Sequence, residues 1–89
     1  MKSSVAKSFW KRFDQLPGSV QKQAVRAYEM WRSDPFHPSL QFKRVSLSEP
    51  IYSARVGIGH RALAFRAGDH IQWFWIGPHA EYDELLKRL

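Results

Sequence analysis

The sequence has no cysteine, so it can hold neither a disulfide framework nor a thiolate metal site. His37, His60, His70 and His79 share no ligand spacing of the H-x-x-x-H kind, and no metal or other cofactor is expected. No apolar run approaches the ~18 residues of a membrane span, and the opening MKSSVAKSFWKRF lacks a signal-peptide apolar block. The expectation is a soluble, cytoplasmic protein with no membrane partner. A Gly-rich phosphate loop and a G-x-S-x-G elbow are also missing. Acidic side chains are scarce, 8 Asp and Glu against 14 Lys and Arg. Glu81, Asp83 and Glu84 crowd one helix start, where they favour the helix dipole. No second acidic cluster faces them, so a two-carboxylate hydrolase is not expected.

What is present describes a folded, basic domain. A hydrophobic content of 44% with 15% aromatic residues, four of them Trp, separates the chain from disordered sequences. Its 89 residues make one domain, 1–89. The net charge of +6 is uneven, since residues 41–66 hold Lys43, Arg44, Arg55, Arg61 and Arg66 against Glu49 alone. Charge of this sign suits an anionic partner, nucleic acid or an acidic protein.

Hydrophobic spacing divides the chain into a helical first half and an extended second half. Val5, Phe9, Phe13 and Leu16 share a helical face, with Ser3 or Ser4 available as a cap. LPGS at 16–19 breaks this helix. Val20, Ala24, Ala27, Tyr28 and Trp31 mark a second, from about Ser19 to Ser33. Asp34-Pro35 ends it, because a residue before proline is pushed out of the α region. Two helices with so short a break should form an antiparallel hairpin. Strands are predicted over 40–45, 51–57, 61–66 and 70–77, the last apolar on both faces. Pro78 fits the first turn of a final helix, which places Tyr82, Leu85, Leu86 and Leu89 on one apolar face. The fold class is α+β, with the helical hairpin packed on a three- to four-stranded antiparallel meander and a helix at the end.

Two places could carry chemistry. His60-Arg61 follows a Gly-containing turn, and an arginine there can hold a phosphate with the planar fork of its guanidinium. Arg55 lies on the neighbouring strand. A two-residue turn would send Arg55 and Arg61 to opposite faces, and a longer turn or a bulge would bring them to one. His79 and Tyr82 stand three residues apart in the first turn of the last helix. Histidine can give or take a proton at neutral pH, and a tyrosine ring can stack on a base. Each also has a structural explanation: a surface arginine, a helix-start histidine, a core tyrosine. His37, between Phe36 and Pro38, reads as loop packing, and His70 as solvated.

The passage FDQLPGSVQKQAVRAYEMWRSDPFHPSLQFKRV, the hairpin IYSARVGIGHRALAF and the strand IQWFWIGPHAEYDELL resemble, in that order, the RelE/ParE superfamily of bacterial toxin–antitoxin toxins. The likeness spans about residues 9–86. It implies a toxin that cleaves mRNA on the ribosome without a metal and is held inactive by an acidic antitoxin. In the YoeB-like pattern an E-H-R-L passage carries the key arginine, and Arg61 in GHRAL is its match. His79 resembles the C-terminal histidine of the YoeB and YafQ types. Tyr82 lies near an aromatic position used by several members. The resemblance thus names Arg61, His79 and Tyr82 as catalytic, and Lys43, Arg44, Arg55 and His60 as RNA-binding. Two departures stand out. MKSSVAKSF offers little room for the strand that usually opens the family fold, and only Glu49 is a candidate for the glutamate base of YoeB. The alternatives are a ParE-like inhibitor of DNA gyrase without catalysis, and an inactive or solitary interaction protein of this fold.

Overall fold

The strand rich in Trp and Phe near the end of the chain organises the molecule. In the computed structural model, which describes residues 1–89, it is β5 (His70–Pro78). Before it come β1 (Lys2–Val5), α1 (Lys7–Phe13), α2 (Gly18–Ser33), β2 (Lys43–Arg44), β3 (Ile51–Val56) and β4 (His60–Ala67), and after it α3 (His79–Leu86). The α+β class, the two helices ahead of an antiparallel β2–β5 meander and the final helix are as expected. The strand count is not. One sheet holds five strands in the order β1-β5-β4-β3-β2.

The additional strand lies where the sequence offered little room for it. Lys2–Val5 pairs parallel with His70–Trp73, giving the outer edge of β5 the backbone partners a buried strand requires. Ser3 and Ser4 therefore do not cap a helix. Ser3 Oγ meets the Tyr28 hydroxyl at 2.6 Å and Ser4 Oγ meets His70 Nε2 at 2.8 Å. The first helix starts at Lys7, after an extended Ala6 that provides no side-chain cap. Where β1 stops, α1 takes over the edge: Ser8 Oγ donates to the Phe74 carbonyl (2.7 Å) and Arg12 Nε to the Ile76 carbonyl (2.8 Å).

The strand predicted over 40–45 contracts to Lys43–Arg44. Pro38–Leu40 is a single 3₁₀ turn whose first free amide, Ser39 N–H, donates to His37 Nδ1. Gln41 then takes a left-handed conformation, with φ 48°, which interrupts the extended run ahead of Phe42.

Two cores flank the sheet. On the α1/α2 side, Ala54, Val56, Ala62, Ala64, Ile71, Trp73 and Ile76 meet Ala24 and Trp31 of α2, with the Trp31 and Trp73 rings edge to face at 5.4 Å. The two helices are held by the sheet more than by each other. On the opposite side, Ile51 and Leu63 pack under Tyr82, with Phe74, Trp75, Leu85 and Leu86 around them. A register shift makes this possible. Leu63 faces Trp75 and Ala64 faces Trp73, which leaves Phe74 with no opposite residue. At such a bulge consecutive side chains can share a face, and Phe74 and Trp75 both join the α3 core.

Candidate nucleic-acid interface

The β3–β4 hairpin settles how its arginines are arranged. Val56 pairs with His60, so the turn is the three residues Gly57-Ile58-Gly59, with Gly57 at φ +60°, a conformation open to glycine at no steric cost. With this longer turn Arg55 faces Arg61 directly, and both side chains leave the sheet on the α3 side. On the far side of β4, Arg61 is opposite Gly77.

Gly77 is buried. A Cβ there would lie 2.7 Å from Trp75 Cζ2 and 2.9 Å from Arg12 Nη2. The strand then delivers Pro78, extended, as the residue before α3. The His79 amide is held by the Gly59 carbonyl at 2.9 Å. Arg12 secures the same junction from α1, with its guanidinium 4.9 Å from the Trp75 ring centre and paired with Glu81.

These constraints bring Arg61, Tyr82 and His79 together. The Arg61 guanidinium carbon lies 5.7 Å from the centre of the Tyr82 ring, within cation–π range. The His79 ring meets the same tyrosine edge to face at 5.7 Å. Tyr82 is 5% exposed, and its hydroxyl donates to the Oγ of Ser53, itself fully buried, at 3.1 Å. A ring this buried, with Arg61 and His79 against it, offers no face on which a base could stack. Tyr82 is a platform that both polar groups contact.

Arg61 and His79 keep capacity for a ligand. Arg61 Nη1 donates to Gln41 Oε1 at 2.9 Å, while its Nε is buried without an acceptor. The indole N–H groups of Trp31 and Trp73 share that condition, so it is no signature of a site by itself. His79 is 43% exposed in its side chain, with Nε2 3.3 Å from Asp83 Oδ1, leaving the other ring nitrogen open.

The remaining basic residues divide between the faces. Lys43 is opposite Ser53 and so joins the α3 side. Arg44, opposite Tyr52, points to the helical-hairpin side, with its Nε on the Ser46 carbonyl at 2.9 Å. His60, in register with Val56 and Pro78, also points away from Arg61. Glu49 precedes β3 at the end opposite Arg55. The four extended steps from Ile51 to Arg55 span about 13 Å, so Glu49 is out of reach of the Arg61–His79 pair. No three His, Asp or Glu side chains converge as metal ligands would.

A family model described as the ParE-like toxin domain matches residues 18–84. The chain belongs to the ParE-like toxin family. The matched stretch runs from α2 into α3 and contains every candidate residue, leaving out only β1, α1 and the last few positions. Among solved structures, the toxin domain is similar in fold to the RelB–RelE antitoxin–toxin complex of Methanococcus jannaschii, at 21% identity and TM-score 0.72, covering 91% of this chain and 95% of that one. The isolated RelE toxin of E. coli matches at 15% identity and TM-score 0.64, covering 98% and 96%. The YoeB/ParE toxin of Agrobacterium tumefaciens matches at 14% and 0.68, covering 89% and 99%. At these identities the likeness is one of fold. No curated protein matches the sequence.

Three partners of the site in this toxin domain escaped the sequence. Gln41 is distant in sequence and reaches Arg61 only through its left-handed backbone. Ser53 carries no signal in the sequence beyond its place in an alternating strand, yet it lies beneath Tyr82. Arg12 carries none that links it to β5 or α3. Only Asp83 carried a local signal, four residues after His79 on a helix.

Proposed function

We propose that the domain is the toxin of a toxin–antitoxin pair and acts as a ribosome-dependent mRNA endoribonuclease in the cytoplasm. The observation that carries this reading is the convergence of Arg61 and His79 on the one Tyr82 ring. The mRNA 2′-hydroxyl would give up its proton to water and attack its own adjacent phosphorus, forming the P–O2′ bond and breaking the P–O5′ bond. This leaves a 2′,3′-cyclic phosphate and a 5′-hydroxyl, and no metal is required for that step. Arg61 would stabilise the charge growing on the non-bridging oxygens. His79 would pass a proton to the departing 5′-oxygen, its ring oriented by Asp83. Tyr82 acts through these two residues and is a positioning residue. Dependence on the ribosome rests on the resemblance to the mRNA-cleaving members of the superfamily.

The partner proposed is an acidic antitoxin, in keeping with the net charge of +6 and with the toxin–antitoxin complexes that share the fold. The presence of β1 removes the incomplete sheet as an argument for an inactive relative. The ParE-like family match makes DNA gyrase the competing target. Induced expression of the parent and of Arg61→Ala, followed by mapping of mRNA 5′ ends, tests the reading. The expected result is cleavage inside translated codons, reduced ~10²–10³-fold in the variant. Unchanged mRNA together with gyrase-dependent loss of supercoiling would overturn it in favour of the gyrase inhibitor.

A further inference from the structure

A second basic site lies beyond the tip of the β3–β4 hairpin. An open cleft of about 400 Å³ runs between α2 and the end of β3, with Gln23, Arg26, Ser39, Arg55, Gly57 and Ile58 among its walls. Arg26 and Arg55 are the charged residues lining it, and no carboxylate is among its walls. Neither belongs to any ion pair of the molecule. Arg26 stands on α2 and Arg55 leaves β3 on the α3 side, so the two cations line the cleft from either side of the β3 edge with no carboxylate in its wall, which suits an anionic ligand.

The cleft is also preorganised. Arg55 Nε donates to the Gly57 carbonyl at 3.0 Å, which anchors the guanidinium and leaves its terminal N–H donors free for a planar, two-pronged contact. The Gln23 amide fills the space a Cβ at Gly57 would need, so α2 and the hairpin turn approach closely and Arg26 is carried to the same opening. Position identifies the ligand. Arg55 is the direct cross-strand neighbour of Arg61, a backbone separation of about 5 Å. The Gly57-Ile58-Gly59 turn links the two sites, since its Gly59 carbonyl holds His79 while its Gly57 carbonyl holds Arg55.

We propose that Arg26 and Arg55 form a phosphodiester-binding subsite that carries an RNA strand from Arg61 over the edge of β3 onto α2. The identity of the strand as RNA rests on the reading given under Proposed function. The subsite grips backbone, so it adds affinity and register without base preference.

The test measures binding of a fluorescein-labelled, uncleavable 2′-O-methyl oligoribonucleotide by anisotropy over a salt series. The proteins are the parent, Arg26→Gln, Arg55→Gln, the double variant and Arg55→Lys. Each glutamine substitution should reduce the slope of log K against log salt by about 0.7, the value for one phosphate contact on a single strand. The double variant should bind about tenfold or more weakly at low salt, with Arg55→Lys intermediate. Arg26 is exposed, so its single variant keeps the test decisive if the double variant fails to fold. Parent-like affinity and slope in folded variants would overturn the subsite. So would dependence on this pair for a polyglutamate peptide but not for the oligonucleotide, which would assign the cleft to an acidic protein partner. Cleavage on translating ribosomes is scored separately. If the parent leaves mRNA intact while its RNA binding still needs Arg26 and Arg55, the nuclease reading falls and the subsite stands.

Discussion

Replacing Tyr82 by phenylalanine removes one oxygen atom and separates the structural role of this residue from a chemical one. In the parent the hydroxyl donates to Ser53 Oγ at 3.1 Å, and Ser53 is 0% exposed. Without it, a buried serine hydroxyl loses its partner, at a cost of ~1–3 kcal/mol. The lower half of that range is expected, because a serine hydroxyl can rotate toward another acceptor. For a domain of this size ~1 kcal/mol shifts Tm by ~4–8 °C, so a fall of roughly 4–16 °C should appear in a thermal melt followed by far-UV circular dichroism. Ser53→Ala should fall by a similar amount. The double variant Tyr82→Phe/Ser53→Ala should recover most of the loss, since removing both partners of a buried hydrogen bond is nearly neutral. Below the melting temperature, the mRNA cleavage proposed for the domain should be as strong in Tyr82→Phe as in the parent, because the ring that Arg61 and His79 contact is kept. A Tm within about 2 °C of the parent, or single effects that simply add, would refute the account of the Ser53 contact. Normal stability with a drop in cleavage of ~10² or more would place the hydroxyl in the chemistry.

Other perturbations probe the scaffold behind the site. Gly77→Ala should destabilise by ~1–3 kcal/mol through overpacking, because its Cβ would meet the Trp75 ring and the Arg12 guanidinium; a near-UV spectrum and Tm unchanged from the parent would contradict this. Arg12→Ala removes the donor to the Ile76 carbonyl and the partner of Glu81. Hydrogen exchange at amides 79–82 should accelerate in that variant while exchange in α2 is unaffected, and equal effects in both regions would argue against a local role for Arg12.

The legible parts of the fold were those set by local periodicity. The stripe of α2, the alternation in β3 and the proline ahead of α3 each act within a few residues of themselves, and they placed those elements closely. The first strand was illegible because its existence depends on β5, at the other end of the chain. Its own sequence, KSSV, is too short and polar to announce a strand. The contraction of the second predicted strand followed from His37 and Gln41 forming a local turn that competes with extended pairing. In the site, Arg61 and His79 could be singled out by residue type and neighbouring turn residues. Whether Arg55 and Arg61 share a face hung on one residue of turn length, and the strand pattern is consistent with either answer. Tyr82 had a signal for each of two roles, the apolar stripe of its helix and its distance from His79. The contact with Ser53 shows how one residue satisfies both, by packing in the core while two polar groups rest against its ring.

The pairing of β1 with β5 also bears on how such a domain comes into being. Lys2 finds its partner at His70, so the sheet closes through one of the longest loops the chain can form, and contacts of that kind form slowly. During synthesis the early segment must wait, with the outer edge of its future partner not yet made, until β5 has emerged. Arg61 reaches its working environment only when Gly77, His79 and Tyr82 arrive. A partially made chain is therefore already basic without having its site, and the capacity proposed for it appears late and all at once.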